Sequence, residues 1–194
     1  CPFDAVLRQH GKTALAEREE QTQGNFSRAP IQSVGENILT QLDAFLAPFT
    51  TTQLPADRMY CSNHTWFKNK DDGTFTIGLD GLATHALASV SCLVLPQPPV
   101  RPHLFSPCVW IIRGDGSVAI RTPITGVITN TNNSLKEDPS LVTKDPYGAG
   151  WIFTMSPDRE QRNELLNADD AQKVFSSQGM ALRQEFLKRI PKQP

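Results

Sequence analysis

The chain has 194 residues and a formal net charge of −1, with 19 basic and 20 acidic residues. This balance gives no electrostatic basis for binding nucleic acid or an anionic membrane, and the apolar runs are too short to span a bilayer. The length suits one domain with additions, whose core needs no metal or disulfide, and 15 prolines and 12 glycines favour a turn-rich β structure.

The first predicted element is a helical N-terminal extension over residues 1–53. Apolar residues recur at helical spacing near the start and again over residues 38–49, with a polar linker over residues 20–30. Ser33 and Glu36 have the spacing of a capping box, which predicts the start of the second helix, and Pro48 is expected to end it. We expect this helix to pack on its own domain, with a groove on a partner as the alternative.

A β domain is predicted over residues 54–156. Turn residues recur roughly every eight to twelve positions between short apolar runs, a spacing that is typical of a small barrel or sandwich. The strands are predicted over residues 60–67, 74–79, 92–95, 110–112, 118–120 and 151–155, with a turn and a further strand over 123–130 and a helix-compatible stretch over 82–90.

The hairpin that we place near the middle of this domain organises the rest. Two β-branched apolar runs, residues 110–112 and 118–120, flank a stretch that contains Asp115-Gly116. Asp-Gly in this position predicts a tight hairpin, because glycine accepts the positive φ that such a turn requires. We therefore expect Asp115 at the hairpin tip.

Helices and a loose tail are predicted over residues 157–194. Asn167 is a good N-cap, and Asp170 three residues later suits the positive end of the helix dipole. An apolar pattern continues past Gly179. The sequence therefore predicts C-terminal helices that add to the β domain.

The four cysteines, Cys1, Cys61, Cys92 and Cys108, form no C-x-x-C pair and indicate no metal site within the chain. We expect Cys92 and Cys108 to be small buried hydrophobes, with a disulfide as the alternative. Cys1 is the end of a longer cysteine-containing segment in one interpretation, and could then ligate a metal with upstream cysteines. In the other it is the lipidated first residue of a lipoprotein.

Several motifs resemble, in the same order, the H protein of the glycine cleavage system, a small lipoyl-carrier β domain. The resemblance covers about residues 54–178, and its most specific part is the run Asp-Pro-Tyr-Gly-Ala-Gly-Trp over residues 145–151. The matching positions have physical roles in turns and packing, so we expect them to specify the fold. These fold-motif residues are His64, Trp66, Pro123, Gly126, Asp145, Pro146, Tyr147, Gly148, Gly150 and Trp151.

The resemblance implies a mainly β fold with α flanks (α+β). It is a β barrel-sandwich hybrid of the lipoyl/biotinyl-carrier type, to which an N-terminal helical extension and C-terminal helices are added. The family's N-terminus does not usually include such an extension, although the sequence around Cys1 is similar to a leader found in some divergent bacterial H-like proteins.

The resemblance also implies where a lipoyl group would be attached. The family carries it on one lysine at the hairpin tip, eight residues before the motif proline. Counting back from Pro123 reaches Asp115, and no lysine lies between Lys70 and Lys136. Because a carboxylate cannot form the amide that tethers lipoate, we predict that lipoate is absent and that the chain has no cofactor-binding or catalytic residue.

These observations favour a non-catalytic, non-lipoylated structural or protein-interaction subunit of a larger complex. One alternative is a lipoyl carrier with a displaced lysine, for which Lys136 and Lys144 are the candidates. Another is a metal- or redox-linked regulatory subunit that uses Cys1. We expect protein partners and no nucleic acid, a cytoplasmic location, and membrane attachment only through a lipidated Cys1.

Overall fold

The structure is a computed structural model in which residues 31–158 and 165–189 are described. Cys1 and most of the predicted N-terminal extension, residues 1–30, lie outside the described residues. The chain divides into two compact units, residues 1–41 and residues 42–194. The boundary near residue 53 that the sequence suggests stays a prediction.

Two helices precede the β domain: α1 (Ile31–Leu46) and α2 (Pro48–Thr51). Because α1 is already helical at Ile31, Ser33 lies inside the helix and the predicted capping box is wrong. Pro48 follows the end of α1 but opens α2. Proline suits this position because the first turn of a helix does not use its backbone N–H.

The β domain contains two antiparallel sheets. The first has five strands in the order β1-β2-β3-β8-β7, and the second has three in the order β4-β5-β6. Their bounds are β1 (Met59–Tyr60), β2 (Thr65–Asn69), β3 (Phe75–Leu79), β4 (Cys92–Val94), β5 (Pro107–Arg113), β6 (Gly116–Arg121), β7 (Gly126–Thr131) and β8 (Phe153–Pro157).

The predicted strand over residues 60–67 is wrong in its middle. A turn separates β1 from β2, the His64 N–H donates to the Cys61 carbonyl, and His64 has a φ of 63°. The left-handed conformation is uncommon for residues other than glycine. The turn folds the stretch back on itself, so β1 and β2 pair with each other.

The main hydrophobic core takes residues from both sheets. Phe67, Ile77 and Phe153 come from the five-stranded sheet, and Val109 and Ile111 from the three-stranded sheet; each is at most 2% exposed. Trp110, between the last two, is 43% exposed. This alternation is that of a sheet with one buried face and one face open to solvent.

Four further helices complete the described structure: α3 (Gly81–Leu87), α4 (Ser134–Glu137), α5 (Leu141–Lys144) and α6 (Ala168–Arg189). One helix, not several, accounts for the described part of the C-terminal region. Asn167 caps it, accepting from the Asp170 N–H at 2.8 Å. The helix continues through Gly179, where an added Cβ would lie 2.7 Å from Phe49 Cβ.

The first half of α6 covers a second hydrophobic cluster, whose buried members are Tyr60, Trp66, Leu82, Ala171 and Phe175. The arrangement joins the helix to β1, β2 and α3. None of the helices in the described residues combines the length and apolar character needed to cross a membrane.

Candidate functional site

The β5–β6 hairpin presents a carboxylate at its tip. Arg113 and Gly116 form the last pair of the ladder, and Gly114 and Asp115 make the two-residue loop. The Asp115 side chain is 73% exposed and accepts a hydrogen bond from Arg113 Nη2 at 3.0 Å. The tip therefore offers a charged pair to the surroundings, and no primary amine.

The outer face of the three-stranded sheet has an apolar middle row. Val94, Trp110 and Ala119 are cross-strand neighbours in one row, at which spacing side chains touch. Val94 is 53% exposed and Trp110 43% exposed. An exposed tryptophan thus lies at the centre of the sheet that carries the hairpin tip.

A groove of about 270 Å³ lies between β6 and α3. One wall is formed by Val118, Ala119 and Ile120, and the other is on α3. Among the described residues, the lining also includes the polar Asn63, His64 and Arg113 and the apolar Leu79, Ala83, Ala86 and Leu87. The groove is therefore mainly apolar, with polar side chains at its ends.

Hydrogen bonds close both ends of this groove. At the hairpin end, Arg113 Nη1 donates to the Ala86 carbonyl oxygen on α3 at 3.4 Å. At the other end, Asn63 Nδ2 donates to the Arg121 carbonyl oxygen at 2.8 Å. The Arg113 Nε atom is buried and has no hydrogen-bond partner.

Buried Asp80 fixes the start of α3, one wall of the groove. Its Oδ1 accepts from the backbone N–H groups of Leu82 and Ala83, both at 2.9 Å, as an N-cap does. Its Oδ2 lies 3.0 Å from His64 Nδ1. His64 is thus hydrogen-bonded inside the fold, and its ring contacts that of Phe175.

The residue after Asp80 is also held by a side chain. The backbone N–H of Gly81 donates to the Tyr147 hydroxyl at 2.9 Å.

The run over residues 145–151 makes a tight loop before β8. The Ala149 N–H donates to Asp145 Oδ2 at 2.6 Å. A side chain at Gly148 would collide with the Asp145 carboxylate, and one at Gly150 with the Leu141 carbonyl. Pro146 and Trp151 lie in the same loop, so the structure gives these motif residues a role in chain direction.

The other motif residues also lie in packing positions. Trp66 Nε1 donates to the carbonyl oxygens of Leu79 at 2.8 Å and Pro146 at 3.0 Å. Pro123 leads into β7, where Gly126 has a φ of 158° and passes against the backbone of β8. These residues join strands of the five-stranded sheet to one another and to the 145–151 loop, and they do not form a reactive cluster.

Arg58 joins Trp66 to the 145–151 loop. Its guanidinium carbon lies 4.7 Å from the Trp66 ring centroid and 5.0 Å from that of Tyr147. Its Nη1 donates to the Tyr147 carbonyl at 3.1 Å. Hydrogen bonds from Arg58 and Lys68 lower the pKa of Asp57 to about 2, and burial raises the pKa of Tyr147 to about 12.

The cysteines differ from the prediction. Cys92 is exposed on the outer face of β4, so its predicted burial is wrong, and Cys108 is partly buried. Both thiols are free, as is that of Cys61. Burial raises the pKa of Cys108 to about 11. Within the part of the chain that the structure describes, no group of His, Cys, Asp and Glu side chains is arranged to hold a metal ion.

A model of the glycine cleavage H-protein family matches residues 58–178. The chain belongs to this family. The family assignment and the lipoyl-carrier type of β fold that the sequence predicts are therefore confirmed. Since an H protein is a carrier and not a catalyst, family membership also supports the prediction that the chain is not an enzyme.

Curated H-protein relatives cover the same part of the chain. The glycine cleavage system H protein of Coxiella burnetii (strain Dugway 5J108-111) is 28% identical over 127 residues, which are 65% of this chain and 98% of that protein. The one from Shewanella frigidimarina (strain NCIMB 400) is 31% identical over 126 residues, 64% of this chain and 98% of its own.

A solved structure has the same fold. The crystal structure of a glycine cleavage system H protein from Mycobacterium marinum matches with a TM-score of 0.56 at 26% identity. The match covers 62% of this chain and 97% of that chain. Nearly all of that H protein therefore has a counterpart in this chain, which has further residues beyond the match.

The family match corrects the prediction that lipoate is absent. H proteins carry lipoate, so the prediction that this family member has no cofactor conflicts with the family assignment. The hairpin tip does not itself fit the group, because the Asp115 carboxylate is bound by Arg113 and has no amine to acylate. Lys136 and Lys144, the lysines that follow the hairpin in sequence, are both exposed.

Sequence reasoning missed two features of the site, and only one of them has a signal in the sequence. The groove joins Arg113 to Ala86, which are 27 residues apart, and no spacing rule connects them. The cap at Asp80 could have been found from Asp80-Gly81 before an apolar helix-compatible stretch, which is an N-terminal signature. The hairpin itself, by contrast, has the turn signal that the prediction used.

Proposed function

We propose that this chain is a non-catalytic H-protein subunit that docks onto protein partners through the three-stranded sheet and its hairpin. The observation that carries the proposal is the Arg113–Asp115 pair at the tip, in a domain that otherwise keeps the H-protein fold. A hairpin that ends in a charge pair recognises a surface through charge and shape. The named relatives belong to the glycine cleavage system, whose other proteins are the partners proposed here.

The surface around the tip supports this role. The row of Val94, Trp110 and Ala119 lies on the solvent side of the same sheet. Large aromatic side chains contribute more than most others to protein interfaces when a partner covers them. Apolar contact on the sheet and a charge pair at its end together make a surface with a defined direction.

The test measures complex formation with the glycine cleavage proteins from the same source by analytical ultracentrifugation. We expect a defined complex with the protein that carries no substitution. Asp115→Arg reverses the charge at the tip and is expected to weaken the complex at least tenfold, as is Trp110→Ser. Asp71→Arg makes the same charge change in the exposed turn between β2 and β3, and serves as the matched control.

Two results would contradict the proposal. One is the absence of any complex with a correctly folded protein. The other is an equal loss for Asp115→Arg and Asp71→Arg, because that would show a general effect of charge and no role for the tip.

A second candidate function is a lipoyl carrier that uses a lysine away from the hairpin tip, and the family match favours it. Lys136 is on α4, which packs against β4 of the hairpin sheet, and Lys144 is on α5. Both are exposed. The candidate therefore has acceptor amines within the same domain.

Intact mass after production in a lipoylating host tests this candidate. A mass increase of one lipoyl group, mapped by peptide fragmentation and removed by Lys136→Arg or Lys144→Arg, would support it. Lys70→Arg, in the turn between β2 and β3, is the control for general loss of lysine. An unmodified mass, in a host that lipoylates a standard H protein in parallel, would reject it.

A further inference from the structure

We propose that the groove between β6 and α3 binds the carboxyl terminus of a partner protein, with an apolar last residue in the groove and its carboxylate on Arg113. This inference rests on the proposed docking function and gives the partner segment its chemistry. The groove shares Arg113 with the hairpin tip and Ala119 with the outer sheet row, and its other wall is on α3.

The first argument is the position of β6. In the described part of the chain it is an edge strand, since the sheet order is β4-β5-β6. An edge strand has backbone N–H and C=O groups on its outer side that can pair with an added extended segment. Peptide recognition by strand addition uses such an edge for affinity and an adjoining pocket for specificity.

The second argument is the lining beside this edge. Val118 and Ile120 on β6 face Ala83, Ala86 and Leu87 on α3. The two alanines leave room where larger side chains would fill the space. At about 270 Å³, the groove is slightly below the usual range of pockets for small ligands, which begins at about 300 Å³. It therefore suits one or two apolar side chains.

The third argument is that the groove is closed at both ends. Arg113 bridges from β5 to the Ala86 carbonyl, and Asn63 bridges to the Arg121 carbonyl. A strand that ran through the groove would have to break one of these bridges. A chain that ends inside it does not, so the geometry favours a terminus over an internal segment.

The fourth argument is charge. Arg113 is the basic side chain in the lining, while His64 at the opposite end is hydrogen-bonded to Asp80. Two guanidinium nitrogens of Arg113 bond to Ala86 and Asp115, and the buried Nε is left without a partner. A buried donor in this state costs free energy until it is satisfied. A carboxylate suits a guanidinium because both are planar and oppositely charged.

Peptide binding to the complete protein tests the inference, by fluorescence anisotropy. The probe is an amino-terminally labelled hexapeptide that ends in leucine with a free carboxylate, and its carboxy-terminal amide is the matched control. We expect saturable binding of the acid and at least tenfold weaker binding of the amide. This comparison needs no variant, so a folding defect cannot imitate it.

Two variants place the binding in the groove. Arg113→Gln should weaken the free acid at least tenfold and leave the amide unchanged, because only the acid carries the group that Arg113 recognises. Arg101→Gln removes an exposed arginine that pairs with Asp158 outside the groove, and should change neither peptide. Ala83→Phe fills the groove and should abolish binding of the acid.

Several results would overturn the inference. Equal affinity for the acid and the amide would exclude carboxylate recognition. Hexanoate that displaces the peptide at equal concentration would show a site for small aliphatic acids. A concentration-dependent dimer that Arg113→Gln dissociates would show that a second copy occupies the groove. If the peptide fails while Asp115→Arg still disrupts the partner complex, this inference fails and the docking function stands.

Discussion

The lack of a side chain at Gly78 leaves the space that Trp66, the largest core residue, occupies. Its Cα faces Trp66, which is 1% exposed and whose indole N–H donates to two carbonyls. A Cβ at this position would lie 2.5 Å from Trp66 Cζ2. The indole cannot move away without losing its hydrogen bonds, so the site accepts only glycine without rearrangement.

Gly78→Ala is therefore expected to destabilise the protein by about 1–3 kcal/mol, the usual cost of overpacking a core. Gly114→Ala is the matched control, because nothing lies within 4 Å of the Cβ it would add. Urea denaturation followed by tryptophan fluorescence measures both. A control variant that lost as much stability as Gly78→Ala would show that the indole contact is not the cause.

Among the elements, the hairpin could be predicted from sequence, while the turn between β1 and β2 could not. Asp115-Gly116 has a local turn signal, and the alternation around it is regular. The β1–β2 turn contains neither glycine nor proline, and apolar residues lie on both sides of it. His64 has a left-handed backbone conformation in this turn, and its side chain is hydrogen-bonded to Asp80, 16 residues away. Asn63 Oδ1 accepts local hydrogen bonds from the Thr65 N–H and hydroxyl, and the contact between His64 and Asp80 adds a tertiary one.

The fold-motif residues illustrate the same limit. Local requirements could be inferred for Gly148 and Gly150, because a tight loop needs small residues. The contact of Arg58 with the rings of both Trp66 and Tyr147 could not be inferred, since these three side chains come from separate segments. Fold class followed from residue order, whereas the groove depends on packing between elements.

The helix α3 depends on one buried carboxylate, which gives a prediction at this scale. Asp80→Ala removes the acceptor of two backbone N–H groups and the partner of His64. We expect a loss of about 3 kcal/mol, since it combines a lost cap with buried donors left unsatisfied. Thermal unfolding by circular dichroism measures it.

Asn167→Ala is the control for this prediction. It removes the cap of α6 at an exposed position, and is expected to cost about 1 kcal/mol. If Asp80→Ala cost no more than Asn167→Ala, the buried carboxylate would act only as an ordinary helix cap.

At the scale of the whole molecule, two hydrophobic clusters stabilise different parts of the fold. The larger one lies between the sheets, and the smaller one joins α6 to β1, β2 and α3. The helix takes part in the smaller cluster only through its first half. Its later apolar residues are exposed, among them Met180 at 59% and Phe186 at 47%.

Two substitutions of phenylalanine in the same helix test this division. Phe175 is fully buried, so Phe175→Ala is expected to cost about 3–5 kcal/mol. Phe186→Ala, one half of the helix further on, is expected to change stability by less than about 0.5 kcal/mol. Chemical denaturation of both variants gives the comparison. Similar losses would show that the whole length of α6 is packed.

The sheet that carries the hairpin lies entirely within residues 71–135, a span that contains no lysine. Amine-reactive crosslinkers and labels will therefore leave this face unmarked, even where a partner covers it. A protease that cuts after lysine will release the sheet as one long peptide. Footprinting of this surface requires reagents that react with carboxylates, arginine, tryptophan or the exposed Cys92 thiol.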